Sequence, residues 1–87
     1  MNAVAQIPSR LLVIEDDAVL SAHLHDFLSE RRYQVTLCMD GTLGLAAASS
    51  GDFDLVLLDI LLPGMNGLEL LGQLRHRSPV PVIVVSA

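Results

Sequence analysis

Short apolar runs alternate with stretches of helical pattern along the whole chain, and this alternation leaves few folds open to it. Residues 11–14 and 82–85 are continuous apolar runs, and residues 53–58 form a third that is only slightly interrupted. Runs this short and this apolar read as strands buried on both faces. Residues 33–38 alternate and carry the β-branched Val35 and Thr36, which suits a further strand. Between the strands lie three helical segments. Asp17 is placed to cap a helix over residues 18–32, with Leu20, Leu24, Phe27 and Leu28 at i, i+4, i+7 and i+8 on one face. Arg31 and Arg32 fall at the negative end of its dipole. Asp40, Gly41 and Thr42 open an alanine-rich helix over residues 43–49, with Gly51 as its stop signal. Residues 63–67 read as a turn. Asn66 with Glu69 three residues later resembles a capping box and starts a third helix over residues 68–76, with Leu70, Leu71 and Leu74 facing inward. The order βαβαβαβ predicts an α/β fold: a parallel sheet, helices on both faces, right-handed crossovers, and the third strand in a central place.

Eighty-seven residues make one domain at most, expected over residues 10–87 behind a loose arm over residues 1–9. A hydrophobic share of 52% excludes a disordered chain, and with aromatics at 3% the core must be aliphatic. A net charge of −5 and the absence of lysine argue against this segment gripping a nucleic-acid backbone. Cys38 is the single cysteine, so no internal disulfide can form, and a reducing compartment is expected. Asp59 and Pro63 break the longest apolar stretch well short of the ~20 residues a membrane helix needs. Nor does the first segment pair a charged region with an apolar one as a secretory signal does, so a cytoplasmic location is expected.

Two predicted strand ends carry carboxylates. The run LLVI leads into Glu15, Asp16 and Asp17, and LVLL leads into Asp59. Open parallel sheets bind ligands outside the carboxyl ends of their strands, which is where these acids and Ser86 fall. Phosphate-binding sheets usually place a glycine-rich loop after the first strand, but here three carboxylates stand there and would repel a nucleotide. Crowded carboxylates raise one another's pKa, and a hard divalent cation relieves the repulsion. Mg²⁺ prefers oxygen ligands and completes its shell with water and substrate phosphate. A carboxylate beside such an ion can attack phosphorus. Asp59, on a central strand end and followed by a turn, is the best nucleophile of the set.

The segments LLVIEDD, LVLLDILLPGMNGLELL and VPVIVVSA together resemble the receiver domain of two-component response regulators. Acidic pair, acceptor Asp, Pro four residues on, Gly eight residues on and a hydroxyl residue followed by Ala come in that family's order and spacing. The resemblance implies a flavodoxin-like doubly wound sheet and a phosphoryl switch. Asp59 would be the phospho-acceptor, Asp16 a direct Mg²⁺ ligand, Glu15 a ligand largely through water, the Leu61 carbonyl a further ligand and Ser86 the switch hydroxyl. The donor would be a sensor histidine kinase. The tract DILLPGMNGLELL is most similar to receivers joined to winged-helix DNA-binding domains, which implies transcription regulation with DNA contacted elsewhere than in this segment. The family also has a fifth strand carrying a lysine at the phosphoryl site. That lysine has no counterpart here, so the fold is expected to be incomplete, with the last helix-strand-helix missing, and an unpaired apolar last strand would favour self-association.

Other residues carry plainer expectations. Asp17 is a helix cap. His23 and His25, two apart on a helix, do not share a metal-binding face. Cys38 and Met65 are packing residues, and Gly64 and Gly67 answer backbone needs. A receiver-like interaction or dimerisation module that takes no phosphate is the alternative function. An Asp-based phosphohydrolase is disfavoured because its second Asp, two residues after the first, is Leu61 here.

Overall fold

The computed structural model describes residues 9–85. Strands β1 (Arg10–Ile14), β2 (Gln34–Cys38), β3 (Leu55–Asp59) and β4 (Val82–Val85) alternate with helices α1 (Ala18–Glu30), α2 (Gly41–Ala48) and α3 (Gly67–Arg75). All pairings are parallel, in the order β2-β1-β3-β4. The chain steps outward from β1 to β2, then crosses to the other side for β3 and β4. The order therefore reverses between β1 and β3, and a crevice opens there at the carboxyl ends. β3 lies between β1 and β4, as its apolar run predicts.

Strand alternation divides the core between two faces. Leu12 and Ile14 of β1 and Val56 and Leu58 of β3 are buried beneath Leu45 and Ala48 of α2 and Leu70 and Leu74 of α3. Truncating a fully buried Leu such as Leu12 to Ala would cost about 2–5 kcal/mol. The opposite face carries Leu11, Val13 and Leu57, with α1 alone against it among the described residues. A groove lined by Val13, Leu20, Leu24, Leu57 and Val85 runs between α1 and the sheet. Beyond α1, Ile83 is left 51% exposed on β4.

Element ends differ from the expected ones for local reasons. α1 stops at Glu30, where Arg31 caps it and Arg32 swings to a φ of 71°. The Arg31 guanidinium donates to the Phe27 carbonyl at 3.0 Å and stacks 3.5 Å over the Phe27 ring. Phe27, 53% exposed, therefore leaves the inward face of α1, while Leu20 keeps its place beside Leu24 at the rim of the groove. Ser21 is buried, Leu24 and Leu28 are half-buried, and these three at i, i+3 and i+7 make the contact stripe. α2 starts two residues early because the Asp40 carboxylate accepts from the Thr42 amide at 3.1 Å. Gly51, with a φ of 83°, follows its end. β3 starts and ends later than expected. The Asp54 carboxylate instead accepts from the Arg10 amide at 2.8 Å, which holds its carboxyl below the ordinary value. Asp59 is consequently the last residue of the strand itself. Asn66 caps α3 by accepting from the Leu68 amide at 2.8 Å. Among the described residues no bond returns from Glu69, so only half of a capping box forms.

Candidate functional site

β1 ends at Ile14, and the Glu15 amide still donates to the Cys38 carbonyl at 3.0 Å, so the ladder carries Glu15 to the rim of the sheet. Asp16 follows in the open. Asp17 turns the chain, its carboxylate accepting from the amides of Val19 at 2.9 Å and Leu20 at 3.1 Å. Asp17 is thus occupied as a helix cap. Ser21, one turn into α1, donates its hydroxyl to the Glu15 carbonyl at 3.2 Å and ties the helix to the strand end. Sequence reasoning misses this buried serine. Its only signal there is a polar residue set between the apolar positions of α1.

β3 delivers Asp59 from the other side of the crevice, where it pairs in register with Val85. The Leu61 amide donates to Asp59 Oδ1 at 3.2 Å, so the loop after the strand holds the carboxylate. Carboxylate oxygens of Glu15, Asp16 and Asp59 all lie within 4.8 Å of one another. An adjacent pair, Glu15 and Asp16, thus meets Asp59, which is distant in sequence, at the switch in strand order. Ser86 lies outside the described residues. His23 is exposed, His25 sits against its neighbour Asp26, and neither belongs to the acidic cluster.

Crowding has an electrostatic consequence. Glu15 is only 8% exposed, and its pKa is pushed up from 4.5 to about 7. Burial is the main cause, followed by the hydrogen bond to Asp59 and then the charges of Asp59, Asp16 and Asp17. A cation bound among these carboxylates would relieve the repulsion that helps raise this pKa. A donor set made entirely of oxygens suits a hard divalent ion such as Mg²⁺.

The model for the response regulator receiver domain matches residues 11–87. The chain belongs to the receiver-domain family of response regulators. Among curated relatives, it is 51% identical over 82 residues to the transcriptional activator protein PfeR of Pseudomonas aeruginosa, covering 93% of this chain and 27% of that one. It is 40% identical over 78 residues to the regulatory protein VanRB of Enterococcus faecalis, covering 90% of this chain and 36% of that one. The chain therefore spans about a third of the length of these relatives. Among solved receivers, a CheY-like domain from Methanospirillum hungatei superposes with a TM-score of 0.87 at 31% identity, covering 92% of this chain and 65% of that one. The receiver domain of the sensor histidine kinase PA1611 of Pseudomonas aeruginosa, described with a magnesium ion coordinated in its active-site cleft, superposes at 0.84 with 27% identity. That match covers 90% of this chain and 66% of that one. The receiver is a signalling switch of two-component systems and not an enzyme of the ordinary turnover kind.

Proposed function

We propose that this receiver takes a phosphoryl group onto Asp59 from the phosphohistidine of a sensor kinase, and that Mg²⁺ assists the transfer. The observation that carries the reading is the meeting of Glu15, Asp16 and Asp59 within 4.8 Å at the crevice between β1 and β3. An Asp59 oxygen attacks phosphorus, the P–N bond to the donor imidazole breaks, and an acyl phosphate remains. Glu15, Asp16, Asp59 and the Leu61 carbonyl would hold the ion, which supplies positive charge to the phosphoryl oxygens. The Leu61 amide keeps the attacking carboxylate turned toward the crevice. Ser86 would sense the product as the switch hydroxyl and shift the population of conformations. In a longer protein, a winged-helix output domain would contact DNA and regulate transcription, in keeping with the transcriptional activator and regulatory protein among the relatives.

Phosphoramidate, a small donor with the same P–N bond, tests the reading. With Mg²⁺ it should add one phosphoryl group to the intact mass, and Asp59→Asn should abolish the addition. A folded protein that gains nothing from phosphoramidate would favour the interaction module instead.

A further inference from the structure

We infer that Gly41 and Gly67 are positioning residues for the acidic site, clamping the loop after Asp59 between the first turns of α2 and α3. The inference rests on the reading of that site as a Mg²⁺-dependent phospho-acceptor. Neither glycine adopts the left-handed backbone that would by itself call for glycine; what each supplies is room. A Cβ on Gly67 would stand 2.5 Å from the Asp59 carbonyl oxygen, 2.6 Å from the Ile60 Cα and 3.0 Å from the Ile60 carbonyl oxygen. These are backbone atoms with no rotamer to yield. The Gly67 amide also donates to the Ile60 carbonyl at 2.7 Å, so α3 begins directly against the acceptor strand. On the other flank, a Cβ on Gly41 would stand 3.0 Å from Met65 Cβ and 3.3 Å from the Met65 carbonyl oxygen.

The loop held between these contacts carries half of the site. Glu15 and Asp16 come from the end of β1, whereas Asp59 and the Leu61 carbonyl come from β3 and this loop. The Leu61 amide is bonded to Asp59 Oδ1 at 3.2 Å, so a shift of the loop reaches the carboxylate directly. Mg²⁺ tolerates little departure from octahedral geometry, so the distance between the two halves sets its affinity.

Three alanine variants of the protein carrying this sequence test the inference, each followed by melting temperature, a calorimetric titration with Mg²⁺ alone, and metal-free amide resonances. Gly72 of α3 has nothing within 4 Å of where its Cβ would stand and serves as the control. Gly72→Ala should raise the melting temperature through helix propensity and leave the other two readouts alone. Gly41→Ala should still fold cooperatively, because the atoms its Cβ would meet lie at 3.0 Å and beyond. It should nonetheless weaken Mg²⁺ binding roughly tenfold and move the metal-free resonances of Asp59, Ile60 and Leu61. Gly67→Ala should do the same more strongly where it folds. Wild-type Mg²⁺ affinity together with unmoved resonances in Gly41→Ala would overturn the inference, as would an affinity loss that only tracks lost stability. A wild-type protein that binds no Mg²⁺ would sink the functional reading, while the metal-free resonances would still decide the clamp.

Discussion

Glu15 concentrates the physics of the site in one residue. It is buried, hydrogen-bonded to Asp59 and surrounded by negative charge, so its pKa rises to about 7. The folded state therefore favours the protonated form. The stability this contributes is complete below the ordinary value near 4.5 and is lost as pH rises through about 7. A tenfold change in proton affinity is worth roughly 1.4 kcal/mol, which bounds the effect at a few kcal/mol. In a chelator, the protein should melt at a lower temperature at pH 8 than at pH 5.5. Mg²⁺ should restore the loss at pH 8, and Glu15→Gln should flatten the pH dependence. A melting temperature that rises with pH in chelator would contradict the assignment. Glu15, Asp16 and Asp59 could be read from the sequence because each falls at the end of an apolar run, and such ends converge in a parallel sheet. Ser21 could not be read, because a serine within a helical pattern gives no sign of the carbonyl it will meet.

Among the elements, α1 shows how much a cap and a contact stripe decide. The Asp17 carboxylate satisfies two amides at the helix start, so Asp17→Ala should cost about 1 kcal/mol in urea unfolding. Because Asp17 caps and Asp16 faces the cluster, Asp16→Asn should weaken Mg²⁺ binding far more than Asp17→Ala. Equal losses would mean that Asp17 is itself a ligand. The sequence pattern locates α1 but assigns Phe27 to its inward face, together with Leu20, Leu24 and Leu28. Helical spacing finds an apolar arc without saying which part of it the sheet will touch. Here nothing but α1 lies on that side of the sheet among the described residues, so the flanks of the arc stay in solvent and Phe27 finds the Arg31 guanidinium instead. The later start of β3 is hidden for a similar reason: the bond from the Arg10 amide to Asp54 joins residues 44 apart.

For the whole molecule, the two faces of the sheet are unequally covered, and this predicts behaviour in solution. α2 and α3 cover β1 and β3 on one face but leave Val84 of β4 exposed there, and Ile83 and Val85 are exposed on the other. Among the described residues β4 has no neighbour on its outer side, and an apolar edge strand left open is a template for another chain. Isolated as these 87 residues, the chain should therefore sediment above its monomer mass of 9.3 kDa, and Ile83→Lys should return it toward monomer. A monodisperse wild-type monomer would contradict this. Fold class was legible because strand and helix periods alternate without interruption, and the reversal of strand order then put the acids in one crevice. The two glycine clearances were not legible, since only packing reveals which glycine is short of room. Asp59 is the residue on which phosphoryl transfer by this receiver would turn. The most direct measurement is tandem mass spectrometry of the folded protein after treatment with an acyl phosphate, with Mg²⁺ and again with a chelator. One phosphoryl group is expected, located on Asp59 and seen only with the metal. A modification on any other residue, one indifferent to the chelator, or none at all would contradict it.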